Sequence, residues 1–194
     1  MKYARWYPTA AMLGNGEVLV TTGDDDHGNR VGIPEVYNPV TDTWRQLTSA
    51  NRTQQLYAFM YQLPNGKVYE AAPDTATFYL DVNGTGSWAN GPTSQWSTSA
   101  YSESGAMYGP GKILRTGGGD PATARTAVID MTVANPQWRE TTPMQYARRR
   151  MNLVILADGS LLAVGGTRSS DNESSAVLQA EIWNPVTEQW STVA

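Results

Sequence analysis

The 194-residue sequence contains no cysteine and a single histidine, His27. Without cysteine the chain has no disulfide, no thiolate metal ligand and no cysteine nucleophile. Zinc and copper sites in proteins depend heavily on histidine and cysteine, and one histidine cannot supply such a site. We therefore expect no cofactor for this chain alone.

Charged residues and long apolar runs are also scarce. Asp, Glu, Lys and Arg make up 16% of the residues, and the net charge is −4. The composition therefore does not indicate a basic surface of the kind that binds nucleic acid. No apolar run approaches the roughly 18 residues that a membrane-spanning helix needs, and the first residues lack the apolar segment of a signal peptide. We expect neither nucleic acid nor a membrane as a partner.

What the sequence does contain is an internal repeat. A glycine followed by an apolar run of strand type occurs four times, at spacings of 50, 45 and 48 residues, at Gly16, Gly66, Gly111 and Gly159. A tryptophan follows each glycine in the same phase, at Trp44, Trp88, Trp138 and Trp190. Repeats of about 40 to 50 residues built from strands and turns are typical of propeller blades. A β-sandwich, the rival all-β fold, does not predict this repeat.

The turns define the strands of each repeat. In the first repeat, Asn15-Gly16 predicts a hairpin turn, and Asn38-Pro39 marks the end of the third strand because proline is poorly tolerated inside a sheet. The fourth repeat has the same plan, with Asp158-Gly159 and Asn184-Pro185. The sequence therefore predicts an all-β, kelch-type β-propeller segment with four blades of four-stranded antiparallel sheets. The approximate blades are 1–48, 49–92, 93–142 and 143–194.

Residues that recur at one phase of the repeat are expected to be structural. Glu35 and Glu181 recur in this way, as do Asp81 and Asp130 in the shorter repeats. We therefore expect these carboxylates to bond turn amides rather than to act as catalytic acids.

Positions that differ between blades are better candidates for a site. Nine residues before each anchor glycine, at the start of the innermost strand, stand Tyr7, Tyr57, Ser102 and Arg150. We expect these four residues to ring one mouth of the axial channel, where propellers usually bind ligands. The loops after the second strands, with Asp25, Asp120 and Arg168, should overhang the same mouth. Tyr57, Ser102, Arg150, Asp25 and Asp120 are thus the predicted ligand contacts.

Three other segments have simpler interpretations. Consecutive residues of one loop rarely converge on a metal, so residues 24–27 predict a solvated acidic loop. The run Arg148-Arg149-Arg150 is expected to be solvated charge, with an anion site as the alternative. Strand alternation predicts that Arg148 and Arg150 point one way and Arg149 the other. No helix pattern follows residues 117–119, so these glycines are interpreted as blade glycines rather than as a phosphate-binding loop.

Several stretches resemble kelch repeats, namely residues 3–10 (YARWYPTA), 34–39 (PEVYNP) and 181–185 (EIWNP). The order of segments, including residues 104–120 and 143–166, resembles the propeller of the galactose oxidase and glyoxal oxidase family of copper radical oxidases. The resemblance spans essentially the whole chain. It implies part of a seven-bladed propeller from enzymes that oxidise a primary alcohol or an aldehyde with oxygen and release hydrogen peroxide. Members of the family are secreted, so the resemblance also implies an extracellular origin.

The resemblance implies roles for individual residues. In the family, copper is held by two tyrosines and two histidines, and one of these tyrosines is cross-linked to a cysteine. Tyr7, within Arg5-Trp6-Tyr7, matches the cross-linked tyrosine, and Tyr57 matches a tyrosine that lines the pocket. In galactose oxidase itself a substrate-binding arginine comes next, whereas this chain has Ala58. Specificity for galactose is therefore not expected.

The departures from the family lead to the main functional expectation. The partner cysteine belongs to a blade that would precede Met1, the Tyr-His pair begins a blade after Trp190, and the second histidine lies in a further domain. The resemblance thus implies four middle blades of a larger propeller, with Tyr7 as one ligand of an incomplete copper site. We expect the chain alone to be catalytically inactive, copper being a cofactor of full-length relatives.

The expected partner is a second copy that closes the propeller, or the missing blades of a longer chain. The alternatives are a non-catalytic kelch module that binds carbohydrate or protein, a self-assembling half-propeller, and a closed ring of four blades.

Overall fold

The computed structural model describes residues 1–71, 73–98, 102–170 and 172–193. Within these ranges the chain folds into four sheets, each with four antiparallel strands in chain order. Two single-turn 3-10 helices are the remaining regular elements of the described residues, and none of their helices is long and apolar enough to cross a membrane. The prediction of an all-β fold with four four-stranded antiparallel sheets is confirmed.

The chain divides into two compact units, Met1–Pro92 and Thr93–Ala194. The first sheet of the first unit contains β1 (Thr9–Met12), β2 (Val18–Thr21), β3 (Glu35–Asn38) and β4 (Thr43–Gln46). Its second sheet contains β5 (Met60–Gln62), β6 (Val68–Glu70), β7 (Phe78–Asp81) and β8 (Ser87–Asn90). The two sheets share one core, formed by Leu13, Leu19, Val36, Leu47, Ala50, Ala58, Met60, Val68 and Leu80.

The second unit repeats this organisation. Its first sheet contains β9 (Glu103–Gly109), β10 (Lys112–Gly117), β11 (Thr126–Asp130) and β12 (Arg139–Thr141). Its second sheet contains β13 (Asn152–Ile155), β14 (Leu161–Val164), β15 (Ala180–Asn184) and β16 (Gln189–Val193). Ala106, Leu114 and Val128 of the first sheet pack with Leu161 and Trp183 of the second.

The turns follow the sequence prediction. Gly16 has a φ of +84° and donates its N–H to the carbonyl of Leu13 at 2.8 Å, which closes the β1–β2 hairpin. The side-chain oxygen of Asn38 accepts the amides of Val40 and Thr41, which ends β3. Asn184 does the same in the fourth repeat, at the end of β15.

The prediction that Asp81 and Asp130 bond turn amides is also confirmed. The Asp81 carboxylate accepts the N–H of Asn83, and that of Asp130 accepts the N–H of Thr132, each at 2.9 Å. Both residues therefore stand at the turn position that Asn38 occupies in the first sheet.

Glu35 and Glu181 have a structural role, as expected, but their main partners are arginines. Arg5 pairs with Glu35 at 3.0 Å and Arg148 pairs with Glu181 at 2.7 Å, and all four side chains are inaccessible to solvent. The prediction that Arg148 is a solvated charge is therefore wrong. Its guanidinium is buried because it meets a carboxylate and also donates to the carbonyl of Gln179 at 2.8 Å.

Candidate functional site

Three of the four residues predicted to ring the channel mouth share an unusual backbone conformation. Tyr7, Tyr57 and Arg150 have φ values of 57°, 59° and 55°. Left-handed conformations cost a residue with a side chain roughly 1–2 kcal/mol, so they persist only where the surroundings impose them. Because the same conformation recurs at one position of three repeats, it is a property of the fold that turns the chain into each innermost strand.

Close backbone packing imposes this turn. A Cβ atom on Gly23 would lie 2.9 Å from Cβ of Arg5, just before Tyr7. A Cβ atom on Gly166 would overlap the carbonyl oxygen of Arg149, just before Arg150. In the first and fourth sheets, the glycine that follows the second strand thus packs against the chain that enters the first strand.

In the first unit the structure brings Tyr7 and Tyr57 together. Their ring centroids are 4.8 Å apart with an interplanar angle of 33°. Trp6 stacks on Tyr7 with a centroid distance of 3.8 Å and an angle of 29°. Trp6 is 58% exposed and Tyr7 is 43% exposed. We call these three side chains the aromatic surface.

The loop after β2 holds the aromatic surface in place. Trp6 and Asp24 exchange two backbone hydrogen bonds of 2.7 and 2.9 Å. The Asp24 carboxylate accepts a 2.6 Å hydrogen bond from Nε of Arg30, whose Nη1 donates to the carbonyl of Gln54. The two chain segments that carry the aromatic residues are therefore bonded to one loop. This reduces the conformational entropy that the aromatic surface would lose when it binds a ligand.

The acidic loop of residues 24–27 does not collect metal donors. The Asp25 carboxylate accepts the amides of Asn29 and His27, and the hydrogen bond from Asn29 is the main cause of its lowered pKa. His27 is highly exposed and lies 3.7 Å from the exposed Asp26. Because its own loop occupies the Asp25 carboxylate, a ligand contact at Asp25 stays a prediction without further support.

In the second unit the structure brings Ser102, Arg150 and Asp120 into one corner. Arg150 donates its backbone N–H to the carbonyl of Ser102 at 2.9 Å. Ser102 is buried, and its hydroxyl accepts the N–H of Gly119 at 3.2 Å. Its side chain therefore supports the glycine loop, and direct contact between Ser102 and a ligand stays a prediction.

The glycine interpretation of residues 117–119 is confirmed. The amides of Gly117 and Gly118 donate to the carbonyls of Arg125 and Arg148, each at 3.0 Å. Since the Gly119 amide donates to Ser102, all three N–H groups are used within the fold rather than presented to a phosphate.

Asp120 is a half-exposed carboxylate held by two partners. It accepts the backbone N–H of Ser170 at 3.2 Å and forms an ion pair with Arg149. These two contacts, with that to Ser170 the larger, lower the pKa of Asp120, and the charge of Arg150 acts in the same direction. The backbone of Arg168 lies beside this loop, because its carbonyl accepts the N–H of Ala122 at 2.8 Å.

Arg149 also belongs to this corner, although it was not among the predicted ligand contacts. Its side chain is only 6% exposed, so its expected solvated state is wrong. Strict strand alternation also predicted that Arg148 and Arg150 share an orientation opposite to that of Arg149. Instead Arg148 and Arg149 are both buried and Arg150 is exposed. The left-handed backbone at Arg150 interrupts the extended chain, so the alternation does not apply.

The donor atoms of the described residues do not fit copper. Tyr7 and Tyr57 supply two phenols, but the side chain of His27, in the loop after β2, is highly exposed and its neighbour is Asp26. Among the residues that the structure describes, no three His, Cys, Asp or Glu side chains are grouped to hold a metal ion. Copper proteins rely on imidazole and thiolate ligands, and the described residues supply one exposed imidazole and no thiolate.

The sequence matches known proteins along most of its length. Residues 5–51 match the kelch motif. Galactose oxidase of Gibberella zeae is 28% identical over 95% of this chain, which corresponds to 31% of that protein. Alpha-scruin of Limulus polyphemus is 37% identical over 38% of the chain and 7% of its own length. The chain thus spans about a third of the galactose oxidase.

Solved structures show the same fold. A fungal alcohol oxidase of the AA5 family, in complex with copper, superimposes with a TM-score of 0.84 at 22% identity, over 100% of this chain and 44% of its own. YjhT gives a TM-score of 0.77 at 17% identity, over 98% of this chain and 70% of its own. The kelch-type propeller fold and the resemblance to galactose oxidase are therefore confirmed.

Proposed function

We propose that this chain is a galactose-oxidase-like kelch segment that does not catalyse oxidation on its own. The observation that carries the proposal is the incomplete donor set around Tyr7. The chain has one histidine and no cysteine, and the His27 side chain is highly exposed, with the exposed Asp26 as its neighbour. Such a set cannot hold a copper ion in a defined geometry, nor orient its ligands through further hydrogen bonds. Copper chemistry would require ligands from other parts of a longer protein.

The test is copper titration of the purified chain followed by a peroxide assay with primary alcohols and aldehydes. We expect no peroxide beyond that formed by free copper, and no difference between the wild type and Tyr7→Phe. Peroxide formation that saturates with copper and is lost in Tyr7→Phe would contradict the proposal.

A second candidate function is carbohydrate binding at the aromatic surface. Trp6 and Tyr7 present stacked, exposed rings, and the partly buried Tyr57 is tilted against Tyr7. Such rings pack against the apolar faces of sugars, and tyrosine hydroxyls add hydrogen-bonding groups. Large rigid aromatic side chains lose little conformational entropy when they bind. The surface is fixed by the loop after β2, which also favours binding.

Titration calorimetry with neutral oligosaccharides tests this role. Trp6→Ala and Tyr7→Ala are expected to abolish binding, with little change in the unfolding midpoint because both side chains are exposed. Trp44→Ala is the matched control, because Trp44 is also partly exposed and forms a second aromatic pair. The ring centroids of Trp44 and Tyr37 are 5.0 Å apart. Equal losses in all three variants would contradict a specific site at the aromatic surface.

We also propose that the chain associates with a second copy of itself. In the sheet of β13 to β16, Val154 pairs with Leu162, and Leu162 pairs with Ile182, so one apolar row crosses three strands. Val154 is 45% exposed, and Leu162 and Ile182 are partly exposed. A contiguous apolar sheet face of this kind is commonly covered by another surface.

A further inference from the structure

We propose that Arg149 and Arg150 bind the carboxylate group of an acidic ligand, such as a uronic acid. We call Asp120, Arg149 and Arg150 the basic corner. The proposal concerns the second unit and does not rest on carbohydrate binding at the aromatic surface, which concerns neutral sugars.

The Arg149 guanidinium is buried and only partly satisfied by hydrogen bonds. The side chain is more than nine-tenths buried, and its Nε atom has no hydrogen-bond partner among the residues described. A guanidinium has five N–H donors. Leaving a buried donor without an acceptor is costly, so an acceptor from outside the chain would stabilise this arrangement.

Three other arginines of the chain show a different contact with a carboxylate. Arg5, Arg115 and Arg125 each present the edge formed by Nε and Nη2 to a carboxylate, supplied by Glu35, Glu103 and Glu140. This side-on, two-bond geometry is the preferred one for arginine and carboxylate. Arg149 contacts Asp120 through Nη1 instead, so no described carboxylate meets its Nε.

The basic corner carries positive charge and is accessible to solvent. Arg150 is exposed and directly follows Arg149, and its charge contributes to the lowered pKa of Asp120. Asp120 itself is half exposed, so the Arg149–Asp120 pair lies where solvent reaches it. The charge of Arg150 therefore acts at the same place as the Arg149–Asp120 pair.

Backbone hydrogen bonds hold the residues of the basic corner in place. The backbone of Arg149 exchanges hydrogen bonds of 2.9 and 3.1 Å with Thr167. The amide of Arg150 is bonded to Ser102, and Ser102 supports the glycine loop that leads to Asp120. The three members of the corner are thus held by backbone contacts, which limits the entropy lost on binding.

The experiment is an NMR or calorimetric titration of the full chain with D-glucuronate, with D-glucose as the neutral ligand of matched shape. We expect saturable binding of glucuronate alone, weakened by added salt because charge contributes to it, and competition by acetate. Binding of glucose with equal affinity, or no saturable binding of glucuronate, would overturn the proposal.

Variants of the basic corner are expected to change the affinity for glucuronate in opposite directions. Arg150→Gln removes an exposed attractive charge, and we expect several-fold weaker binding; Arg149→Gln should abolish it. Asp120→Asn removes the competing carboxylate, so we expect several-fold tighter binding. Arg125→Gln is the matched control, because the Nε–Nη2 edge of Arg125 is already filled by Glu140, and it should change nothing.

Because Arg149 is buried, Arg149→Gln is also expected to lower stability. Arg150→Gln and Asp120→Asn change more exposed groups, so the proposal can be tested with these two variants even if Arg149→Gln unfolds. Weaker binding in Asp120→Asn, or equal weakening in Arg125→Gln and Arg150→Gln, would show that the basic corner is not the site.

Discussion

The buried Arg148–Glu181 and Arg5–Glu35 pairs each join a carboxylate of a third strand to an arginine that precedes a first strand. Arg5 also donates to the carbonyls of Thr22 and Ile33, each at 2.6 Å. Each guanidinium thereby bonds a carboxylate and the carbonyls of a loop. Burying two charges is costly, but removing one partner is worse, because the other charge is then buried without compensation.

We therefore expect Glu181→Gln to lower the free energy of unfolding by about 3–5 kcal/mol, measured by urea denaturation. Glu140→Gln is the control, because Glu140 pairs with Arg125 at the surface. Exposed pairs contribute at most about 1 kcal/mol. Similar losses in the two variants would mean that burial of the Arg148–Glu181 pair does not determine its contribution.

A pair of glycines after β14 shows how the connection between elements depends on close packing. Gly165 and Gly166 have φ values of 71° and 86°. A Cβ atom on Gly165 would meet no atom within 4 Å, whereas one on Gly166 would overlap the Arg149 carbonyl oxygen. The two positions therefore share the conformational requirement but differ in available space.

Gly165→Ala is expected to lose roughly 1–2 kcal/mol of unfolding free energy, the cost of a left-handed alanine. Gly166→Ala should lose clearly more, because the backbone must also shift to relieve the overlap. Thermal or urea unfolding of both variants measures the difference. If Gly166→Ala lost no more than Gly165→Ala, the contact with Arg149 would not limit this position.

The turn between β15 and β16 is tied to the neighbouring sheet through Glu188. Its carboxylate pairs with Arg139, next to Trp138 and at the start of β12, and accepts from the hydroxyl of Thr141 at 3.2 Å. The hydrogen bond from Arg139 is the largest cause of the lowered pKa of Glu188. Since the folded-state pKa lies below 4.5, the stabilisation is complete above that pH and is lost as the pH falls below it.

We thus expect Glu188→Gln to be less stable than the wild type by up to about 1 kcal/mol at neutral pH. The difference should shrink steadily once the pH falls below 4.5, the ordinary pKa of this carboxyl. Urea unfolding at a series of pH values measures it. A constant difference across the acidic range would show that ionisation of Glu188 does not stabilise the sheet contact.

Local chemistry accounts for what could be predicted at the level of elements. Asn15-Gly16 and Asn38 determine turns through their own backbone and side-chain bonds, so the strand order followed from the sequence. The position of Tyr7 relative to Gly16 likewise identified a residue that the structure brings to Tyr57. Repetition made these features visible in a single sequence.

The burial of Arg148 and Arg149 could not be predicted in the same way. Their partners, Glu181 and Asp120, lie 33 and 29 residues away in sequence. Three consecutive arginines look like solvated charge unless those contacts are known. The left-handed backbone at Arg150, which cancels the strand alternation, also depends on packing against a distant glycine loop rather than on local propensity.

At the scale of the whole molecule, the chain spans 31% of galactose oxidase and 44% of the AA5 alcohol oxidase. Each of its two units has its own core between two sheets. The shared fold alone therefore does not assign the activity of the longer relatives to this chain. What the chain itself contributes is an ordered scaffold with an aromatic surface in one unit and a basic corner in the other.

The proposed association of two copies is tested on the intact molecule. Val154, Leu162 and Ile182 form an apolar row on the last sheet, and water contact with such a row is unfavourable in proportion to its area. We expect light scattering to show a mass that rises with protein concentration, and Val154→Lys to shift the equilibrium to the monomer by placing a charge in the row.

Leu178→Lys is the control, because Leu178 is exposed but lies outside the strands, in the loop before β15. It should leave the measured mass unchanged. A wild-type chain that stays monomeric at every concentration would contradict association through this face. Loss of association in both variants would instead indicate general apolar attraction, because a specific face responds only to a charge placed within it.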